Sequence, residues 1–403
     1  MKLIEFGSIS HIKKGKKPLR QTNQPQVDYL PYVNIEAFET GNVKSYTDGE
    51  KCLPCKKGDI LIVCDGSRSG LVGKAIDGFV GSTLAIITAD GMSQEYLYYF
   101  LQGKFAVLNT KKKGAATPHL DPNILNQQKL IVPPLDEQER IVAKIEELFS
   151  ELGNNIETLK NTKKQLGVYR QAVLKSAFEG AFTHHEVSEL DLDWASEEET
   201  KDLPTIPKEW KYVALSKLGD LGRGKSKHRP RNDPKLFEGG KYPFLQTSEV
   251  KTAKRYITEY SKQYGEFGLQ QSKLWPKGTL CITIAANIAE TAFLGIDACF
   301  PDSVVGFTPY EHILPEYIKH FIESQKLKLW AFAPATAQKN INLDTLENLI
   351  IPYCDVNEQK AVIAEIESRI TICDNIEKTV DIALKQAEAM RQSILKKAFE
   401  GNL

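Results

Sequence analysis

The apolar positions of this chain follow two kinds of pattern, and each kind occurs twice. Between Asp136 and Gly180, Ile141, Ile145, Leu148, Leu152, Leu159, Leu166 and Val173 recur at spacings built from three and four, with Asn155, Thr162 and Tyr169 filling the series. Between Asn357 and Gly401, Val362, Ile366, Cys373, Ile376, Val380, Ala383, Ala387, Met390 and Ile394 do the same. A three-four alternation lays one apolar stripe along a helix, so both stretches predict long heptad rods. At 1.5 Å per residue, a helix from Asp136 to Phe178 is about 65 Å long. A rod of that length cannot hide its seam alone, and the obvious partner is the other copy. Asp136 and Asn357 follow prolines and can cap first-turn N–H groups, while Gly180 and Gly401 stand where a left-handed C-terminal residue is needed. Asn155 and Thr162 answer Ile376 and Ala383 in the other copy, and polar seam positions are expected to fix register. Arg369 is expected to reach out past the seam.

Shorter apolar runs bounded by turn residues fill the remaining chain. Residues 30–35, 58–66, 81–88 and 129–133 predict strands, and residues 94–102 a short helix. The same frame returns more faintly, with 278–284 answering 58–64, 315–322 answering 94–101, and 349–352 answering 130–133. From Asp136, which answers Asn357, the two helical stretches align without a gap at a constant offset of 221. The chain is therefore a tandem duplication. The expected organisation is a first mixed α/β domain at 1–133, a long helix at 134–180, an acidic linker at 181–207, a second domain at 208–352 and a second long helix at 353–403. The fold class is α+β, with the two domains separated by an antiparallel two-helix coiled coil and related by a pseudo-twofold axis. Strands and long helices agree between copies while loops differ, the pattern of one scaffold carrying two binding surfaces.

Charge sharpens this picture only through its distribution. The chain has 403 residues with 52 Lys and Arg against 52 Asp and Glu, so the net charge is zero. Residues 186–202 nevertheless hold eight carboxylates against Lys201 alone, and the basic clusters lie elsewhere. That stretch, ending in Pro204 and Pro207, has little means of packing and reads as a mobile or loosely docked tether. No apolar run reaches about 18 residues, and Met1 to Ser10 lack a signal-peptide core, which implies a cytoplasmic protein. Seven cysteines at scattered positions suit a reducing compartment. Cys52 and Cys55 have the spacing of half a zinc site, but no second half follows.

Two motifs suggest catalysis. Residues 219–226 match the phosphate-loop pattern, but that chemistry needs a helix directly afterwards, and Pro230 and Pro234 forbid one. Glu249 and Lys251, with Asp233 upstream, loosely resemble a metal-dependent nuclease arrangement, yet the first copy has Glu36 without the lysine. A phosphate-loop ATPase or nuclease is thus one alternative, and a coiled-coil scaffold without DNA preference another. No Ser/His/Asp or Cys/His constellation and no methyltransferase signature is present. The basic loops carry more. The first domain offers Lys13, Lys14, Lys16, Lys17, Arg20, Arg68, Lys111, Lys112, Lys113, Thr117 and His119. The second offers Arg223, Lys225, Lys227, Arg229, Arg231, Gln338, Lys339, Asn340 and Asn342. Lysine and arginine neutralise phosphates, and interleaved Asn, Gln, Thr and His can read base edges. Their recurrence at like places in both copies makes these residues candidate DNA contacts.

The lead-in Leu130-Ile131-Val132-Pro133-Pro134-Leu135-Asp136-Glu137-Gln138, its counterpart from Leu349 to Gln359, and Ala-Phe-Glu-Gly closing both rods at 177–180 and 398–401 carry a family likeness. With the Gly15-Lys16 and Gly224-Lys225 turns and Gln338-Lys339-Asn340-Ile341, the whole chain resembles the specificity subunit of type I restriction-modification enzymes. It departs at Thr117-Pro118-His119-Leu120, which replaces the Gln-Lys-Asn-Ile pattern, and in two extra residues before the second rod. The resemblance implies two target recognition domains reading a split DNA sequence across a helical spacer. It also implies a chain without catalysis of its own, which recruits two modification (methyltransferase) subunits and restriction (translocase and nuclease) subunits. S-adenosylmethionine, ATP and Mg2+ would then sit on those partners.

Overall fold

The structure, a computed structural model, describes residues 3–110, 118–182, 193–332 and 340–402. The chain divides into two compact units, Met1–Asn161 with Val380–Leu403, and Thr162–Thr379. Each holds one globular region and part of each long helix.

In the first unit, β1 (Ser10–Lys14), β2 (Ile60–Val63), β3 (Val72–Lys74) and β4 (Leu84–Ala89) form an antiparallel sheet in the order β1-β4-β2-β3. All four β2 residues are buried because the sheet is covered on both faces. Ile60 and Ile62 join Phe6, Leu97, Phe100 and Leu101 in one core; Leu61 and Val63 join Val33, Val80 and Leu84 in another. That is why this strand reads as an unbroken aliphatic run rather than an alternation. Helix α1 (Gln94–Thr110) is longer than the short helix expected, since Leu108, 1% exposed, carries its apolar stripe past Gly103.

The second unit repeats the plan. β5 (Gly219–Arg223), β6 (Tyr256–Ile257), β7 (Leu280–Thr283), β8 (Thr291–Leu294) and β9 (Val304–Pro309) run in the order β5-β9-β7-β8-β6, with only the β6–β8 pair parallel. Leu280 and Ile282 face the core beneath α2 (Pro315–Ser324), and Cys281 packs with Trp275 and Phe300. The phosphate-loop match becomes strand β5 followed by irregular chain and a single 3-10 turn at Pro234–Leu236, so no helix N-terminus faces that loop. The described part of the acidic stretch, expected as a mobile or loosely docked tether, is docked. Trp194 bridges to Val213 and packs on Tyr353 with Lys211 over its ring, and Ser196 caps the turn Glu197–Thr200.

The long helices span Leu135–Phe178 and Val356–Phe399 and run antiparallel within each unit. In the first, Ile145 packs with Leu395 and Ala398, and Arg391 covers Phe149. In the second, Arg170 reaches Asp374 (2.6 Å) and Glu377 (2.8 Å), and Lys163 reaches Glu377 (3.3 Å). Only one of the two expected seam series is deeply buried along its length; in the other, Val362 alone is fully buried, where the second rod starts. Ile145, Leu152, Leu166 and Val173 are buried, as are Ile366, Cys373, Val380 and Ala387, whereas Ile376 and Met390 are 41% and 57% exposed. Asn155, expected to fix register, is exposed in the first unit, and in the second unit cross-helix ion pairs from Arg170 and Lys163 tie the two helices together. Two helices bury a single stripe, and the second series falls on its rim. Arg369 lies on that rim, paired with Glu365 and stacked over Phe182.

The helix starts differ from expectation. Asp355, not Asn357, caps the second rod, accepting from the N–H groups of Asn357 (2.8 Å) and Glu358 (3.0 Å). The two extra lead-in residues put Asp355 immediately before the first helical residue, Val356, where a cap sits. Asp136 lies inside the first turn of the first rod, which starts at Leu135, rather than at the position before it from which a side chain caps. Both rods end as expected: Gly180 (φ 74°) and Gly401 (φ 76°) are left-handed, with Ala181 N donating to Ser176 O and Asn402 N to Lys397 O.

A largely buried polar cluster in the second unit, with Glu323 at its partly exposed edge, gives a pH-dependent expectation. Glu323 accepts from Lys319 Nζ (2.7 Å) and Thr291 Oγ1 (3.0 Å) and lies 3.1 Å from His320 Nδ1. Burial pushes its carboxyl up, but the His320 bond and the Lys319 charge outweigh this and hold it at about 2, below the ordinary 4.5. A depressed pKa stabilises the fold above pH 4.5, a contribution lost as pH falls from there toward 2. Glu323→Gln is expected to cost about 1–2 kcal/mol at pH 7. It should also flatten the acid limb of an unfolding profile; an unchanged acid limb would refute this assignment.

Candidate nucleic-acid interface

In each unit the candidate residues gather where the first strand of the main sheet ends and a loop leaves its central strand. Gly15 follows β1 and Gly224 follows β5, and both are close-approach glycines. A Cβ at Gly15 would lie 2.3 Å from Val80 O, and one at Gly224 2.3 Å from Phe300 O. The recurrent Gly-Lys turn is thus set by backbone crowding, and its lysines project outward. Lys13, Lys16 and Lys17 are exposed and have no ion-pair partner among the described residues, and the same holds for Lys225 and Lys227.

The loops after β2 and β7 both turn through left-handed residues, supplied by different residue types. Gly66 and Gly70 carry the positive φ values (107° and 90°) in the first unit; Ala286 (64°) and Ala289 (60°) carry them in the second. A left-handed alanine costs roughly 1 kcal/mol or more, and such strain tends to collect at functional loops. Each loop is pinned by an isolated antiparallel bridge, Asp65 to His119 in one unit and Ala285 to Asn340 in the other. His119 and Asn340 therefore hold matching places, although the sequence around them differs.

The remaining candidates are less free than the sequence suggests. Lys14 Nζ donates to Asp65 Oδ2 (2.7 Å), whose Oδ1 faces His119 Nδ1 (2.7 Å). Burial raises the Asp65 carboxyl, and the bonds from Lys14 and His119 more than reverse this, leaving it below the ordinary carboxylate range. Arg20 pairs with Asp48 and Arg68 with Glu39. In the second unit Arg231 chelates Asp302 (2.8 and 2.9 Å), Arg223 donates to Asp302 O (3.0 Å), and Arg229 donates to the Ser226 and His228 carbonyls. Asn342 caps the turn Leu343–Glu347 through Thr345 N (2.8 Å), so its carbonyl is already engaged. Lys111, Lys112, Lys113, Thr117, Gln338 and Lys339 lie outside the described residues. Asp65 and Asp302 organise the two clusters and were missed in the sequence; isolated acids in loops give no periodic signal. A groove of about 360 Å³ beside Arg231, lined also by Ser226, Gln246, Thr247, Ser248 and Lys262, was equally illegible.

The acids of the nuclease-like pattern serve the fold. Asp233 engages His228 (2.8 Å) and Lys235 N (3.0 Å). Glu249 is held by Ser248, Ser261 and the Gln246 N–H at the start of the helix Thr247–Thr252.

The family model described as type I restriction modification DNA specificity domain matches residues 1–166 and 207–386. The specificity subunit of the type I restriction enzyme EcoBI from Escherichia coli is 23% identical over 415 residues, covering 99% of this chain and 85% of its own length. That of MjaVIII from Methanocaldococcus jannaschii is 25% identical over 409 residues, covering 97% and 89%. A chain solved in a study of complex assembly and conformational transition of the type I R-M system matches in fold, with TM-score 0.74 at 19% identity and coverage of 100% and 98%. Among the described residues no helix is long and apolar enough to cross a membrane.

Proposed function

The chain belongs to the type I restriction-modification DNA specificity family, and from that premise we propose that its two domains each read one half of a split DNA target. The two long helices act as the spacer between the half-sites. The observation that carries this reading is the matched pair of loop bridges, Asp65–His119 and Ala285–Asn340. Each stands beside exposed lysines, and each presents different base-reading chemistry on the same backbone frame. Lys13, Lys16, Lys17, Lys225 and Lys227 contact phosphates, while His119 and Asn340 face base edges. Lys14, Arg20, Arg68, Arg223, Arg229 and Arg231, already bonded to the protein, shape the loops and supply a positive field. Lys111, Lys112, Lys113, Thr117, Gln338 and Lys339 complete the interface, and Asn342 positions the segment that carries Asn340.

The chain performs no catalysis itself. It recruits modification subunits that methylate the target with S-adenosylmethionine and restriction subunits that use ATP and Mg2+, and it works in the cytoplasm. Mapping methylated bases across the source genome with and without this gene tests the reading. One bipartite motif should lose its methylation in the deletion strain; methylation at every motif unchanged, with the partner subunits expressed, would refute it. Exchanging residues 1–133 for the first domain of another family member is expected to alter one half-site only. A change in both would mean the domains do not read independently.

A further inference from the structure

We propose that Asp65 fixes His119 so that Nε2 accepts a hydrogen bond from a base-edge amino group, adenine N6 or cytosine N4, in the half-site read by the first unit; this rests on the DNA-reading role above. Asp65 is the positioning residue and His119 the specificity-determining one. Both Asp65 oxygens are engaged, Oδ2 by Lys14 Nζ and Oδ1 by His119 Nδ1, each at 2.7 Å. An ionised carboxylate only accepts, so the proton of the neutral imidazole must sit on Nδ1. Nε2 is then an acceptor. It has no partner among the described residues, and 51% of the side chain is exposed.

The ring is also held from the backbone. Leu120 N donates to Cys64 O (2.8 Å), Gly66 N to Pro118 O (2.8 Å), and Ser69 Oγ to Pro118 O (3.2 Å). Pro118 and Leu120, on either side of His119, are thereby locked to the loop that carries Asp65. Phosphate oxygens only accept, so an Nε2 without a proton cannot bond them and is matched instead to an amino donor. In the major groove adenine and cytosine present amino donors, while guanine and thymine present only acceptors. An acceptor at this place therefore selects between the two classes. The second unit has Asn340 opposite Ala285, with no carboxylate. Its amide can donate and accept, so the two domains use unlike chemistry at one structural position.

Asp65→Asn makes the test sharp. Lys14 has donors only, so the amide oxygen of the variant turns toward Lys14 and its NH2 toward Nδ1. The imidazole proton then moves to Nε2, and the acceptor becomes a donor. The full chain, complexed with the modification subunits of its source, would be used to select from a library of randomised duplexes. The wild type is expected to require adenine or cytosine at one position of one half-site. D65N should shift that position toward guanine or thymine by about three- to tenfold, the worth of one hydrogen bond, with the other half-site unchanged as proof of folding. H119A should leave the position degenerate. The inference is overturned if both variants keep the wild-type preference there, or if D65N only weakens selection without changing the base. A wild type that selects no bipartite site would overturn the DNA-reading role itself and this inference with it.

Discussion

Leucine in place of Gln359 is expected to destabilise the second unit by about 2–6 kcal/mol, although it removes no volume. Gln359 is fully buried. Its Oε1 accepts from Leu314 N (2.8 Å), and its Nε2 donates to Cys354 O (2.8 Å) and His312 O (3.2 Å). One side chain thus ties the first turn of the second long helix to the loop before α2. Gln138 does the same in the first unit, accepting from Ser93 N (2.8 Å) and donating to Gly91 O (2.7 Å) and Pro133 O (2.8 Å). Leucine would leave an N–H and a carbonyl without partners in a dry site; the His312 carbonyl keeps a longer bond from Tyr353. Each orphaned group costs about 1–3 kcal/mol, which sets the expected range. Urea unfolding of the full-length Gln359→Leu and Gln138→Leu proteins measures it. A loss below about 1 kcal/mol in both would mean that water reaches these groups and the clamp is not what seats the helices.

That clamp also marks how far the sequence could be read. The Glu-Gln pair was visible as part of a repeated motif, because repetition at a fixed offset exposes itself without any structure. Its job was not visible, since it depends on the Gly91 and His312 carbonyls, which lie far away in sequence. Helices and central strands were legible for the same reason that they are stable: their apolar period matches a face, or two faces in the case of Ile60–Val63. The seam was half legible, because a heptad pattern names two series and does not say which one a two-helix pair will bury. Loop chemistry was the least legible. Nothing in the composition says that Lys14 and His119 share Asp65, that Arg231 is spent on Asp302, or that Asn342 is a helix cap. Those pairings come from bringing distant loops together, and they decide which basic residues remain available to a ligand.

The Ala-Phe-Glu-Gly closure predicts the second large effect. Phe178, 5% exposed, stands edge-on to Tyr317 and Phe321 of α2, with ring centroids 5.1 Å from each. Phe399 meets Tyr96 and Phe100 of α1 in the same way, at 5.0 and 5.5 Å. The C-terminal end of each long helix is therefore docked in the unit where the other long helix begins. Removing a buried phenylalanine costs about 3–5 kcal/mol through lost burial and the cavity left behind. Phe178→Ala should reach that range, whereas Phe399→Ala should cost about 2–3 kcal/mol because Phe399 is only partly buried. The change should be local: amide exchange is expected to rise first in the last turns of the affected helix and in the α1 or α2 face beneath it. Exchange that rises equally across the whole chain would mean that these aromatic contacts do not dock the helix ends separately. If the local result holds, the two variants loosen the helix ends of different units, and each should relax the tolerance for half-site separation in duplex selection while leaving both half-site sequences intact.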